Sequence, residues 1–340
     1  MSVARILFGL FAAFFSFLAS AAFTANEIAV IINDQDKLSK EIADYYVAAR
    51  GIPAGHVFTL SFPVKGQLSA EQFQPQYEKL LAQLPDGIQA FALTWVQPFR
   101  VQCISITSAF SSGFSQEKCA ILSGGRPCGI TPQSAYFNAD SLKPWDDLQM
   151  RLAMVVAGEK FEDAKALIDR GVASDQSFPK GTGYLLSTRD TARNARAKLY
   201  PKQTAFPAFQ LENLTANAID GKKDVFFYFT GLKEVADLDK NQYLPGAIAD
   251  HLTSTGGVPF NRNQMPAWNW IKAGATGSFG TVTEPCNYTS KFPNPRVVMT
   301  RYLSGDTLIE AYWKSVAWPS EGIFLGEPLA RPFGKGTSGE

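Results

Sequence analysis

Short apolar runs alternate with amphipathic stretches along the chain. The run 27–32 (EIAVII) predicts a buried strand, and the polar NDQD after it predicts a turn and a helix cap. Five apolar side chains then recur at the spacing of one helix face: Leu38, Ile42, Tyr45, Tyr46 and Ala49. Gly51 and Pro53 end that helix, and a second strand follows at 56–60. A strand, a helix and a strand of this length predict a right-handed βαβ unit with parallel strands.

The same alternation continues towards the carboxyl terminus. Further strands are predicted for 88–96, 184–187, 225–229, 246–250, 280–283 and 322–325. Further helices are predicted for 69–84, 161–168 (with Gly171 ending it), 191–199, 265–273 and 306–313. The run VFFYF at 225–229 is aromatic and unbroken, so we expect it at the sheet centre. This alternation predicts an α/β fold with a doubly wound, mostly parallel sheet and helices on both faces.

One segment breaks this pattern. Residues 97–145 are rich in Ser, Gly, Pro and Cys and show no clear periodicity. We expect a loop-rich insertion over one end of the sheet, within a single domain that spans 24–333. Such an insertion either shapes a binding cleft or forms a disulfide-pinned lid without a ligand role, and the sequence leaves both open.

The two ends of the chain and its charge bear on where the protein works. Residues 1–21 have the order of a signal peptide, with Arg5 before an apolar run and small residues at the end, although an uncleaved anchor is the alternative. Residues 334–340 are polar and predict a flexible tail. The net charge of +1, from 32 basic and 31 acidic residues, gives no basic field for nucleic acid. We therefore expect a periplasmic or secreted protein with no nucleic-acid partner and no stable membrane span after cleavage.

Four cysteines support the same compartment: Cys103, Cys119, Cys128 and Cys286. An even number of cysteines in an exported protein favours one or two disulfides, and three full pairings are open. Cys119 and Cys128 flank a short glycine-rich loop and could close it, which would leave Cys103 with Cys286. No CxxC pair occurs and both histidines are distant in sequence from the loop 103–128, so we expect no metal and no cofactor.

The stretch 245–286 concentrates the chemically useful side chains. It holds Asp250, His251, Glu284 and Cys286, together with three glycines in GATGSFG. Phosphate-binding loops lead from a strand into a helix, whereas here a predicted helix precedes a predicted strand. A helix C-cap therefore explains Gly274 better than a phosphate cradle does.

A thiol-based site is one interpretation of this stretch. A thiolate nucleophile needs a nearby base, and the two histidines of the chain are His56 and His251. His251 and Cys286, with Asp250 or Glu284 to orient the imidazole, would form a triad. The alternative is a disulfide for Cys286 and a structural, hydrogen-bonded His251.

Neighbouring hydroxyl and carboxylate groups widen the choice. Thr253 and Ser254 follow a predicted strand and are candidate nucleophiles, although Ser and Thr beside paired glycines are also common turn residues. Glu284 is a candidate positioned carboxylate at the end of a strand. An ion pair with Lys272 or Arg296 would explain it equally well.

Five long strings are spread along most of the chain: NDQDKLSKEIADYYVAARGIP, PGAIADHLTSTGG, AGATGSFGTVTEPC, KFPNPRVVMTRYLSGDTLIEAYWKSVAWPSEG and GEPLARPF. Through them, residues 27–333 or so resemble a family of exported bacterial proteins associated with genomes that carry exosortase. The resemblance implies export and a genomic neighbourhood concerned with envelope sorting and exopolysaccharide, but no reaction.

A second resemblance is more remote. The strand, helix, Arg-Gly-Ile-Pro turn and strand of 27–60 resemble the start of legumain-like and gingipain-like cysteine peptidases, which have the caspase fold. In those peptidases a catalytic His follows one central strand and a catalytic Cys follows the next. Here the matching strands lead into Thr230-Gly231 and into His251, Thr253 and Ser254, so this chain departs from the pattern at both positions.

Two functions follow. The first is a non-catalytic or degenerate caspase-like module that binds a peptide or glycan during envelope or exopolysaccharide assembly. Its expected cleft residues are Thr230, Gly231, Asp250, Thr253 and Gly277. The alternative is a peptidase-like hydrolase with a rearranged site around His251, Glu284 and Cys286 or Ser254.

Overall fold

The computed structural model describes residues 22–123 and 128–334. The strands are β1 Ile28–Asn33, β2 Val57–Leu60, β3 Gln67–Leu68, β4 Ala90–Leu93, β5 Arg100–Val101, β6 Ile104–Ser105, β7 Leu152–Val155, β8 Thr182–Ser187, β9 Gln210–Thr215, β10 Val225–Thr230, β11 Tyr243–His251, β12 Gly277–Thr281 and β13 Gly322–Gly326. The helices are α1 Lys37–Arg50, α2 Ala70–Leu81, α3 Ile106–Ser112, α4 Gln116–Ser123, α5 Pro144–Leu148, α6 Phe161–Ser174, α7 Trp268–Ala273, α8 Pro295–Leu303 and α9 Leu308–Ser315. The predicted signal peptide, 1–21, and most of the predicted tail lie outside the described residues.

A ten-stranded sheet organises the described residues, in the order β2-β1-β4-β7-β13-β12-β11-β10-β8-β9. Every neighbouring pair in it is parallel except β12 and β13. The sheet therefore consists of two parallel halves that meet at one antiparallel junction. The predicted α/β class with a doubly wound, mostly parallel sheet is confirmed.

Helices pack on both faces of this sheet. Successive side chains of a strand point to opposite faces, and β10 illustrates the consequence. Tyr228 contacts Trp270 of α7, with ring centroids 4.8 Å apart, whereas the adjacent Phe227 packs against Tyr302 of α8 at 6.4 Å. A strand buried on both faces needs apolar side chains at every position, which explains the unbroken VFFYF run.

Local signals place the first βαβ unit where the sequence predicts it. Asp36 caps α1 by accepting a hydrogen bond from the backbone N–H of Leu38 at 3.0 Å. Gly51 ends the helix in the left-handed conformation, with φ +63°, which glycine adopts without a Cβ penalty. β1 and β2 are parallel neighbours, as predicted.

Several elements differ from the prediction. The structure adds β7, β9 and α8, extends α6 through Gly171 to Ser174, and makes 193–199 a 3₁₀ helix. Gly171 is needed for close packing rather than for helix termination, because a Cβ there would overlap the side chain of Glu327. The strand predicted at 280–283 is β12, at 277–281, and β10 lies between β8 and β11, off the sheet centre.

The predicted loop-rich segment, 97–145, holds more regular structure than its composition indicates. It contributes β5, β6, α3 and α4 and the start of α5, and β5 and β6 join β3 in a three-stranded sheet. Phe110 of α3 is fully buried in an aromatic cluster, with ring centroids 5.4 to 6.3 Å from those of its aromatic neighbours. Helices this short gain their stability from tertiary burial, which sequence periodicity does not report.

Among the described residues, we find no helix with the length and apolarity that crossing a membrane requires.

Candidate functional site

The carboxyl ends of β10, β11 and β12 lie side by side, because these strands are parallel neighbours. Ligands of parallel α/β sheets bind at such an edge. Register pairs Phe229 with Asp250 and Thr230 with His251, so four of the predicted cleft residues do meet here. Gly277 does not, because it begins β12, at the opposite end of that strand, and packs against Leu308 and Tyr312.

Residues 188–196, which we name the strap, cover this edge. The hydroxyl of Thr188 donates to the carbonyl oxygen of Gly231 at 2.6 Å, and Nε of Arg193 donates to Oγ1 of Thr253 at 3.1 Å. A Cβ on Gly231 would overlap the carbonyl oxygen of Arg193. The predicted cleft is therefore filled by the chain itself.

A buried ion pair lies beneath the strap. Nη2 of Arg196 is 2.5 Å from Oδ1 of Asp250, and each side chain is about 1% exposed. The same nitrogen donates to the carbonyl oxygen of Thr230 at 3.1 Å. Burial raises the pKa of Asp250, and the guanidinium opposes that rise. Asp250 thus neutralises Arg196 and does not orient His251, which points to the other face of the sheet.

His251 has no ring nitrogen free for acid–base work. Its Nδ1 accepts a hydrogen bond from the indole N–H of Trp270 at 2.9 Å, which leaves Nε2 to donate to the carbonyl oxygen of Met265 at 3.1 Å. Burial lowers the pKa of His251 to about 3. The imidazole is therefore neutral and structural at physiological pH.

The cysteines form two disulfides, Cys103–Cys119 and Cys128–Cys286, each with Cα atoms 5.5 Å apart. The prediction of disulfides is confirmed, but the suggested closure of a loop by Cys119 and Cys128 is wrong. The sulfur of Cys286 is bonded to Cys128 and offers no thiolate. A carboxylate oxygen of Glu284 lies within 4.8 Å of both those sulfurs, yet disulfide sulfurs lack the thiolate character that binds metal.

The remaining candidates have structural contacts. The exposed Glu284 accepts a hydrogen bond from the backbone N–H of Cys286 at 2.8 Å, rather than pairing with Lys272, whose partner is Glu159. The hydroxyl of Thr253 donates to Oε1 of Gln264 at 2.9 Å. Ser254 is half-buried, and no base adjoins it among the hydrogen bonds of the described residues.

An open cavity lies beside this edge, next to the loop that follows β12. Its volume is about 670 Å³, which is within the range of small-molecule sites. We name it the Arg100 cavity, after the charged side chain in its wall. It is lined by Gln67, Ser69, Arg100, Gln102, Cys103, Gln116, Cys119, Ala120 and Thr283. Apart from Gln67, Ser69 and Thr283, these residues come from the segment 97–145, which the sequence analysis identified as a cleft-shaping insertion or a lid.

Covalent and hydrogen bonds hold the walls of the Arg100 cavity together. The Cys103–Cys119 disulfide ties α4 to the turn between β5 and β6, and the hydroxyl of Thr283 donates to the carbonyl oxygen of Cys103 at 3.3 Å. Nη1 of Arg100 donates to the carbonyl oxygen of Val282 at 3.2 Å. Burial lowers the pKa of Arg100. The cavity is thus preformed, and among its described lining residues Arg100 is the one that carries a charge.

Sequence reasoning missed Arg100. Its neighbours in the cavity come from four separate parts of the chain, and no motif connects them. The one available signal was an arginine inside a segment rich in Ser, Gly and Cys.

No protein-family model matches the sequence, and neither does any curated protein. Among solved structures, the chain is similar to the Arg-specific cysteine proteinase gingipain R, with a TM-score of 0.49 and 10% identity over 93% of this chain and 80% of that one. It is also similar to a structure described only as a protease, with a TM-score of 0.44 and 11% identity over 91% of this chain and 79% of that one. At such identity the likeness concerns the fold alone.

Proposed function

We propose that this chain is an exported binding protein of caspase-like architecture, and that it recognises a polar component of the cell envelope in the Arg100 cavity. The observation that carries the proposal is that the sheet edge at the carboxyl ends of β10, β11 and β12, where a caspase-like peptidase would hold its catalytic groups, offers no reactive group and no open space among the described residues. His251 uses both ring nitrogens, Cys286 is in a disulfide, and the strap fills the space a substrate would need. A preformed cavity with an arginine and several amide and hydroxyl groups in its wall stands beside that edge, so recognition fits this chain better than hydrolysis.

Export and envelope assembly rest on separate support. The signal-peptide order of 1–21 favours export, and both disulfides are of the kind that persists in an oxidising compartment. The resemblance to the exosortase-associated family favours a role in envelope or exopolysaccharide assembly, with a glycan or a peptide as the partner.

Binding by the mature, oxidised protein tests this function. The probes are a panel of uronate-containing and neutral oligosaccharides and of envelope peptides, measured by isothermal titration calorimetry. Ala120→Trp fills the cavity from the exposed face of α4, and Ala82→Trp makes the same change at an exposed position after α2. We expect at least one probe to bind, the first variant to lose that binding, and the second to keep it.

A parallel turnover assay with peptide substrates examines the hydrolase alternative. We expect no turnover in the wild-type protein. Turnover that disappears in Ser254→Ala would overturn the proposal, as would ligand binding that Ala120→Trp leaves unchanged.

A further inference from the structure

The guanidinium of Arg100 has unused hydrogen-bonding capacity. Nη1 donates to the carbonyl oxygen of Val282, while the buried Nε has no partner among the described residues. Other arginines of the chain, such as Arg50, Arg193 and Arg196, pair with carboxylates, whereas no carboxylate lies within 4.0 Å of Arg100 in the described part of the chain. Because Nε is buried, Nη2 is the nitrogen left to donate to a ligand in the cavity, and a guanidinium forms its strongest hydrogen bonds with carboxylates.

The other side chains around Arg100 indicate the rest of the ligand. Five of them are neutral and polar: Gln67, Ser69, Gln102, Gln116 and Thr283. Their amides and hydroxyls both donate and accept, as the hydroxyls of a sugar require. Among the described lining residues there is no aromatic ring and no Leu, Ile or Val, so a peptide would find no pocket for an anchoring side chain.

We infer that the ligand of the Arg100 cavity is an acidic saccharide, and that Arg100 binds its carboxylate through Nη2, the guanidinium nitrogen that is neither buried nor bonded among the described residues. This inference rests on the proposed function and specifies its substrate class. The carboxylate supplies the negative partner that this half-buried cation lacks, and the neutral polar wall accommodates the sugar hydroxyls. Because the walls are held by a disulfide, little ordering is needed on binding.

The test varies the ligand first, since a change in the ligand does not affect the folding of the protein. Short oligomers of galacturonate are titrated into the mature protein, alongside the same oligomers with methyl-esterified carboxylates. We expect esterification to weaken binding roughly 10- to 100-fold, the change produced by losing a charge-assisted hydrogen-bonded pair. Arg100→Gln should weaken binding of the acidic oligomer by a similar factor and leave binding of the ester unchanged. Arg262→Gln, at an exposed site outside the cavity, should change neither affinity.

Different failures have different meanings. The inference is wrong if esterification changes the affinity less than about threefold. It is also wrong if Arg262→Gln weakens binding of the acidic oligomer as much as Arg100→Gln does. If a neutral saccharide binds the wild-type protein and Ala120→Trp abolishes that binding, the proposed function still holds. If a peptide with a free C-terminal carboxylate binds in an Arg100-dependent way and galacturonate does not, the saccharide assignment is wrong. If Ala120→Trp affects no probe, the proposed function fails as well.

Discussion

Replacing Asp250 with Asn would leave the guanidinium of Arg196 buried without a negative partner. Both side chains are about 1% exposed, and the ion pair joins the strap to the end of β11 at 2.5 Å. Removing one member of such a pair costs about 3–5 kcal/mol, since the remaining charge cannot recover its hydration. The amide oxygen of Asn can still accept a hydrogen bond from Arg196, so we expect Asp250→Asn to lower the free energy of unfolding by about 3 kcal/mol.

Removing the other partner, Arg196, should cost an amount of unfolding free energy that depends on pH. In Arg196→Met the carboxyl of Asp250 remains without its cation, so its folded pKa, already raised by burial, rises further above the unfolded value. A carboxyl with a raised folded pKa contributes stability that is fully present below the unfolded pKa, about 3.9, and is lost as pH rises through the folded pKa. Arg196→Met should therefore be less destabilised at about pH 5 than at about pH 8, whereas Asp250→Asn has no carboxyl to titrate.

A double variant separates charge burial from simple loss of contacts. Asp250→Leu with Arg196→Met removes both charges, and we expect it to be more stable than either single variant at about pH 8. The carbonyl oxygen of Thr230 loses its arginine donor in this variant but keeps the backbone N–H of Leu252 at 3.0 Å.

Urea denaturation followed by tryptophan fluorescence, with disulfides intact, measures these free energies of unfolding. A loss of unfolding free energy below about 1 kcal/mol for Asp250→Asn would contradict this prediction, because it would mean that the buried charge is hydrated or mobile. So would a double variant that is less stable than both single variants.

Three further predictions concern other parts of the molecule. Side-chain nitrogen NMR should show His251 as the neutral Nε2–H tautomer at about pH 5, since burial lowers its pKa to about 3; an imidazolium at that pH would contradict the assignment. Gly257→Ala should destabilise the protein by about 1–3 kcal/mol, because its Cβ would lie 2.6 Å from a carbonyl oxygen of β12. As a control, Gly55→Ala, whose Cβ would have no atom within 4 Å, should change the unfolding free energy by less than about 0.5 kcal/mol in the same urea assay. Burial raises the pKa of Glu321 to about 7 despite Lys291 at 2.5 Å. This carboxyl therefore stabilises the fold below its unfolded pKa and loses that contribution as pH rises through about 7. Glu321→Gln should flatten the decline in unfolding free energy between about pH 5 and pH 8, and an unchanged slope would count against this prediction.

The candidate site illustrates how far local pattern extends. Strand periodicity placed His251 and Thr253 at the carboxyl end of a parallel strand, and the structure agrees. It could not show that Trp270, nineteen positions away, occupies Nδ1 of His251. It also could not show that Arg196 neutralises Asp250 across 54 positions. These partners decide whether a histidine or a carboxylate is reactive, and they come from different elements.

The amino-acid sequence alone is enough to predict the α/β class, the first βαβ unit and most of the element positions. Those features follow from the spacing of apolar side chains and from caps such as Asp36 and Gly51, which act within a few residues of each other. Four features became visible in the three-dimensional structure alone: the antiparallel junction of β12 and β13, the disulfide pairing, the strap over the expected cleft and the Arg100 cavity. Each of these joins segments that are far apart in the chain, because packing in three dimensions selects among partners that local pattern leaves equivalent.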